Sequence, residues 1–175
     1  HRRLGFPIES ARLFQSLIRD SKAEAFHEVA LMGLGDSYLE QKDMRAARAV
    51  FERYRLQFPV GRFAGQALLG ILTSFEGEGN TPGLVKLGKQ WLIHNPRHPD
   101  RALVQLKVAD ALRQVKRDAE AAPLYESVLK AGMDLSALDR LRYADVLARL
   151  NRQEPALALY KQALVAGLEP EQEAW

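Results

Sequence analysis

The chain has 175 residues and a net charge of +3 at neutral pH, with 47% hydrophobic and 27% charged residues. This composition is typical of a soluble folded domain and excludes a disordered chain. No run approaches the roughly 20 consecutive apolar residues that a membrane-spanning helix needs. The absence of cysteine excludes a disulfide framework and thiol chemistry.

Apolar residues at helical spacing predict helices along the whole chain. In chain order, Ser10, Phe14 and Leu17 fit a single leading helix at about 8–21. Four helix pairs follow, and the opening of a further helix comes last. The predicted pairs cover about 22–61, 62–98, 99–133 and 134–168, and the last helix covers 169–175.

Small and aromatic residues recur in these pairs in a fixed order. The first full pair contains Leu34, Gly35, Tyr38, Ala47, Phe51 and Pro59. The last two pairs repeat the order 35 residues apart, with Ala109, Ala121 and Tyr125 followed by Ala144, Ala156 and Tyr160. The pair at 62–98 is degenerate, because it keeps Leu69-Gly70 but has Gly88 at the aromatic position.

This order resembles the signature of the tetratricopeptide repeat (TPR). The resemblance covers four repeats and a leading half, and it implies an all-α, right-handed superhelical solenoid of antiparallel helix hairpins. We expect one solenoid domain over 1–175. The chain begins without methionine and ends inside a predicted helix, so we also expect it to be a fragment of a longer chain.

Capping residues predict where the second helices of the hairpins begin and end. Asp43, Asn80, Asp118 and Asn151 stand at the expected starts, where side-chain oxygens can accept hydrogen bonds from backbone N–H groups. Gly132 and Gly167 are predicted to stop the last two second helices in the left-handed conformation.

Motifs for catalysis, metals and cofactors are absent or incomplete. The glycine-rich loop 77–83 lacks the Lys-Ser/Thr pair of a phosphate-binding loop, which favours a hairpin connector. His94 and His98 are spaced like metal ligands on a helix, but Pro96 breaks the helix between them. The sequence therefore predicts no cofactor, no metal site and no enzymatic activity in this segment.

Nucleic-acid binding is not predicted either. The sequence pI is about 9.3, yet the net charge is only +3 and the arginines are interspersed with acids. The cluster Arg97-His98-Pro99-Asp100-Arg101 is a weak candidate for contact with an anionic partner.

The TPR resemblance implies a partner-binding groove lined by the first helix of each hairpin. The residue after each small position is expected to face the groove. In this chain that residue is aspartate in three repeats and isoleucine in the degenerate one. The candidate partner-binding residues are Asp36, Asp110 and Asp145, with Ile71 in the degenerate repeat, bordered by Met32, Leu39, Leu106, Arg113, Leu141 and Arg149.

Two interpretations of the aspartates stay open. They either keep an exposed helix face solvated or accept hydrogen bonds from a bound segment. Chaperone-binding TPR domains carry lysines at the positions of Met32, Leu106 and Leu141, so the resemblance does not extend to their carboxylate clamp. A preference for basic or amphipathic ligands fits this groove better.

We expect a non-catalytic scaffold that binds a protein or peptide partner. Residues 46–64 resemble bacterial envelope TPR lipoproteins, which favours a protein that is periplasmic, or membrane-anchored facing the periplasm, and acts in envelope assembly or secretion. The alternatives are a sensor or adaptor arm of a cytoplasmic regulator, and a self-assembly module that forms homo-oligomers through its C-terminal end.

Overall fold

The computed structural model describes residues 5–20 and 26–168. Over these residues the chain is built from nine α-helices and no strand, which confirms the predicted all-α class. The helices are α1 (Gly5–Arg19), α2 (His27–Glu40), α3 (Met44–Gln57), α4 (Ala64–Gly77), α5 (Thr81–His94), α6 (Arg101–Gln114), α7 (Asp118–Lys130), α8 (Ala137–Arg149) and α9 (Gln153–Leu168).

The chain divides into two compact units, residues 1–87 and 88–175. In unit one, α1 packs against α2, α2 against α3, and α3 against α4, and the first helices α2 and α4 also contact each other. In unit two, α6 packs against α7 and α8 against α9, and α8 contacts both α6 and α7. The single domain expected over 1–175 stays a prediction.

The core of unit one is organised around the ring of Phe51. Its buried members are Leu31, Ala47, Phe51, Tyr54, Ala67 and Ile71. A Cβ atom on either Gly35 or Gly70 would lie 2.4 Å from a Phe51 ring carbon. Glycine is therefore required at both positions, because the ring fills the space of a side chain on α2 and on α4.

Tyr54 adds a polar anchor to this core. Its hydroxyl donates to the carboxylate of Glu28 and accepts a hydrogen bond from the backbone N–H of Phe63 at 3.0 Å. Burial of the ring and the bond to Glu28 raise the pKa of Tyr54 to about 12. The side chain thereby joins α2 and the turn before α4 to α3.

The core of unit two contains Val104, Val108, Leu112, Tyr125, Leu135 and Ala144, all of which are buried. The ring of Tyr125 stacks on that of Tyr143, with 5.0 Å between centroids and 17° between planes. Tyr125 of α7 therefore packs between its own hairpin and the next one, to which Tyr143 belongs.

The four hairpin turns share one backbone geometry. In each, one residue adopts the left-handed conformation, with φ between 58° and 68°. The next backbone N–H donates to the carbonyl five positions earlier, at 2.8–2.9 Å. This hydrogen bond closes the first helix and starts the second. The left-handed residues are Lys42, Gly79, Lys116 and Asn151.

Only some of the predicted caps are confirmed. Asp43 accepts a hydrogen bond from the N–H of Ala46, and Asn80 accepts one from the N–H of Gly83, both at 3.0 Å. Gly132 is left-handed, with φ of 78°. The other predictions are wrong: Asp118 is the first residue of α7 and Arg117 its cap, Asn151 is the left-handed turn residue, and Gly167 lies within α9.

None of the helices in the described ranges combines the length and the hydropathy that crossing a membrane requires. The further helix predicted over 169–175 lies outside the described residues.

Candidate partner-binding surface

The candidate groove residues of unit one differ in exposure. Met32 and Leu39 are half-buried and pack against the core. Asp36 is exposed and makes no ion pair within the described part of the chain. Partial desolvation and the negative charge of Glu40 raise its pKa above the ordinary value. Asp36 is therefore a carboxylate that a partner can reach.

Ile71 does not face a groove, contrary to the sequence-based expectation. It is buried in the core of unit one together with Ala67, which also lies on α4. The physical reason is the close approach of α2 and α4 around Phe51, where Gly35 and Gly70 leave no side chain to hold the helices apart.

In unit two, Asp110 is only 7% exposed and already has cationic and polar partners. Its carboxylate accepts hydrogen bonds from Arg113 Nε at 2.7 Å and from Gln114 Nε2 at 3.3 Å. Arg142 Nη1, from α8, lies 3.5 Å from Oδ2. The predicted exposed acidic ladder is therefore incorrect at this position, because neighbouring arginines neutralise the charge.

Asp145 and Arg149 on α8 also have internal partners. Asp145 is half-buried and accepts a hydrogen bond from the hydroxyl of Tyr160 at 2.7 Å. Arg149 donates from Nε and Nη2 to the two carboxylate oxygens of Asp118, each at 2.7 Å. This paired bond lowers the pKa of Asp118 and ties α8 to α7. Their role in partner binding stays a prediction.

Apolar side chains on α6 and α8 are more accessible than these carboxylates. Leu106 is half-buried and Leu141 is 41% exposed. Sequence reasoning missed two further leucines, Leu103 at 40% and Leu138 at 55% exposure. The 35-residue register relates Leu103 to Leu138 just as it relates Leu106 to Leu141, and that signal would have found them. These four residues are called the leucine surface below.

The leucine surface lies on helices that contact each other, and the same helices carry the Asp110–Arg113–Arg142 cluster. Large exposed apolar side chains bordered by polar groups are typical of binding surfaces. In the described ranges no group of three or more His, Cys, Asp or Glu residues could hold a metal ion. A partner that binds here would bury these apolar side chains next to charged groups that are already held in place.

The histidine pair and the Arg97–Arg101 cluster noted in the sequence make contacts within the fold. Arg101 Nη1 donates to the backbone carbonyl of Leu92 at 2.5 Å and so caps the end of α5. The ring of His98 packs edge-on against Trp91, with centroids 4.9 Å apart. His94 Nδ1 lies 2.8 Å from the carbonyl of Gln90. Of the predicted loop 77–83, only residues 78–80 lie outside helices, and they join α4 to α5.

Comparison with known proteins agrees with the geometry. Residues 29–59, which cover most of α2 and α3, match the tetratricopeptide repeat family. No curated protein sequence matches significantly. Residues 29–59 thus form a tetratricopeptide repeat, and the resemblance predicted from the sequence is confirmed for this segment.

Several solved TPR structures are similar to the chain over nearly its full length. MamA from AMB-1 has 18% identity and a TM-score of 0.68, over 99% of this chain and 89% of that one. A kinesin light chain of Podospora anserina with nearly identical TPR-like repeats has 16% identity and a TM-score of 0.71, over 93% and 87%. YrrB, described as a TPR protein with an unusual peptide-binding site, has 15% identity and a TM-score of 0.65, over 98% and 84%. At these identities the likeness shows the fold alone.

Proposed function

We propose that this chain is a non-catalytic scaffold that binds a segment of a partner protein. The observation that carries the proposal is the leucine surface on α6 and α8, with Leu138 more than half exposed and one helical turn before Arg142 of the Asp110–Arg113–Arg142 cluster. The peptide-binding site named for YrrB, which has a similar fold, supports the same role here.

The energetics favour a segment that is both apolar and polar. Completing the burial of the four leucines is worth about 1 kcal/mol for each, or about 4 kcal/mol together. A Kd of 1 μM corresponds to about 8 kcal/mol. The four leucines alone therefore do not give micromolar affinity, since association also has an entropic cost, and polar groups near them such as Arg142 have to contribute as well. An amphipathic helix with apolar residues one turn apart meets both requirements.

The test is selection from a displayed library of amphipathic helical peptides against the native protein and a double variant, Leu138→Ser with Leu141→Ser. The matched control is Leu56→Ser with Val60→Ser, two exposed apolar residues of unit one. We expect peptides enriched by the native protein and the control to lose at least tenfold in affinity for the double variant. Equal affinity for all three proteins would contradict the proposed surface, provided that circular dichroism shows equal helicity.

For the cellular setting we propose bacterial envelope assembly or secretion, on the basis of the resemblance of residues 46–64 to envelope TPR lipoproteins. The alternative is a sensor or adaptor arm of a cytoplasmic regulator. Fractionation of cells of the source organism distinguishes the two. Recovery with the periplasmic or membrane fraction supports the envelope role, and recovery with the cytoplasm supports the alternative.

Self-association is a second candidate, favoured by the exposed face of α9. Leu157 and Leu164 on this face are exposed. Ala122 of α7, which the register relates to Leu157, is buried, and α7 packs against α8 of the next hairpin. Sedimentation equilibrium of the native protein and of Leu164→Asp tests this candidate. A native mass that rises with concentration and a constant mass for the variant are the expected results.

A further inference from the structure

The two most exposed large apolar side chains in the described residues are four residues apart in unit one. Val60 is 96% exposed and Leu56 is 84% exposed. Leu56 belongs to the last turn of α3, and Val60 lies in the turn that leads to α4. A cleft of about 380 Å³ lined by Glu52, Arg55 and Leu56 does not include Val60. Val60 therefore projects into solvent, where an apolar side chain gains nothing for the fold.

Positive charges flank these two side chains. Arg53 lies one helical turn before Leu56, and Arg62 lies two residues after Val60, and both are exposed. Neither pairs with a carboxylate in the described part of the chain. The guanidinium of Arg62 is held over the ring of Phe63, 4.4 Å from its centroid. Arg53, Leu56, Val60 and Arg62 are called the α3 tip below.

Nearby carboxylates do not cancel this charge. Glu52 lies 3.9 Å from Arg48 Nε, and Glu28 accepts the hydrogen bond of the Tyr54 hydroxyl. The α3 tip therefore presents two positive groups around two projecting apolar groups. This combination is complementary to a surface that carries negative charge on the outside and is apolar a few ångströms below.

We propose that the α3 tip binds the surface of an anionic lipid membrane. Leu56 and Val60 enter the boundary between headgroups and acyl chains, and Arg53 and Arg62 contact lipid phosphates. A lipid surface fits better than an acidic protein segment, because an acidic segment would engage the arginines and leave the two apolar side chains in water. The contact is peripheral, and no part of the α3 tip crosses the membrane. It does not depend on the partner-binding role of unit two.

The test is co-sedimentation of the native chain with phosphatidylcholine vesicles, with and without phosphatidylglycerol. We expect binding only to the anionic vesicles, and weaker binding at high salt because the arginine contacts are screened. Leu56→Ser with Val60→Ser should lower the partition coefficient at least tenfold. Arg53→Gln with Arg62→Gln should lower it by about fivefold for each arginine.

The control is Leu138→Ser with Leu141→Ser, which should sediment with vesicles as the native chain does. Failure of native protein to bind anionic vesicles would overturn the proposal, as would equal binding by the Leu56 and Val60 variant. Binding of polyglutamate that needs the two arginines but not the two apolar residues would instead identify an acidic protein as the partner. Because each double variant is the control for the other experiment, this proposal and the peptide-binding proposal can fail separately.

Discussion

Tyr160 donates its phenolic hydrogen to Asp145 Oδ1 at 2.7 Å, and this bond joins the two helices of the last hairpin. The repeat-equivalent pair, Tyr125 and Asp110, makes no such bond. Asp110 is engaged by Arg113, Gln114 and Arg142, while the buried hydroxyl of Tyr125 lies near Arg113 and Asp110 but makes no well-formed hydrogen bond among the described residues. The tyrosine and the aspartate at equivalent positions of these two repeats therefore have different hydrogen-bond partners.

Removing the two hydroxyls should consequently have different effects. Tyr160→Phe breaks a hydrogen bond to a carboxylate and should lower the free energy of unfolding by about 1–2 kcal/mol. Tyr125→Phe removes a buried hydroxyl that makes no well-formed hydrogen bond, and should change that free energy by less than Tyr160→Phe does. Urea denaturation followed by circular dichroism measures both. A larger loss for Tyr125→Phe than for Tyr160→Phe would show that the Tyr125 hydroxyl has a partner in solution.

The glycines on either side of Phe51 should tolerate no side chain. Gly35→Ala or Gly70→Ala places a methyl group 2.4 Å from the buried ring, which has no space to move into. Each change should lower the free energy of unfolding by about 1–3 kcal/mol.

The control for this prediction is Gly77→Ala at the end of α4, whose new Cβ would meet the flexible end of the Met44 side chain, with Sδ nearest at 2.7 Å. Combining Phe51→Leu with Gly70→Ala should cost less than the two single changes added together, because the smaller side chain makes room for the methyl group. Simple additivity of the two costs would argue against this packing.

The left-handed turn residues predict a stabilising substitution. Lys116 is exposed and has φ of 59°, a conformation that costs a residue with a Cβ about 1 kcal/mol. Lys116→Gly should therefore raise the free energy of unfolding by about 0.5–1 kcal/mol. Lys161→Gly, in the middle of α9, should lower it by a similar amount. Thermal denaturation shows whether the same replacement shifts Tm in opposite directions at the two sites.

The bond between Arg149 and Asp118 should make stability depend on acid. Hydrogen bonding to Arg149 holds the pKa of Asp118 below its ordinary value of 3.8. The bond therefore contributes fully above that value and is lost as the pH falls through the lower pKa of the folded state. At neutral pH, Asp118→Asn should lower the free energy of unfolding by about 1–2 kcal/mol.

Urea denaturation at neutral pH and well below pH 3.8 checks this prediction. The difference between the native protein and Asp118→Asn should shrink in acid, because the native carboxylate is then protonated too. A difference that stays constant with pH would rule out a contribution from the charge of Asp118.

The repeat pattern predicts the helices well and the turns poorly. The residue types at Gly35, Ala47 and Phe51 are determined by how the helices pack. Because the packing partners recur at a constant spacing in the sequence, these residue types recur too and indicate the hairpins directly. The left-handed turn residue is set by a backbone hydrogen bond and can be Lys42 or Asn151 as well as glycine. Residue type therefore carries little signal for it.

The sequence indicates which helices carry the candidate site, but it does not indicate which of the charged side chains there are already paired. The register places Asp110 on the first helix, yet it does not reveal the arginine that α8 brings to it. The spacing of Asp110 and Arg113, three residues apart on one helix, could have indicated the closest ion pair. Burial of Ile71 depends on contact between α2 and α4, which no local pattern encodes.

The buried residues at the centre of unit one all fall between Leu31 and Ile71. A core assembled from so short a stretch has few long loops to close, which favours rapid folding. During synthesis, this cluster can close once α4 has left the ribosome, before α7, α8 and α9 have emerged from it. The order in which the chain is made thus allows its first hydrophobic core to be protected before the second exists.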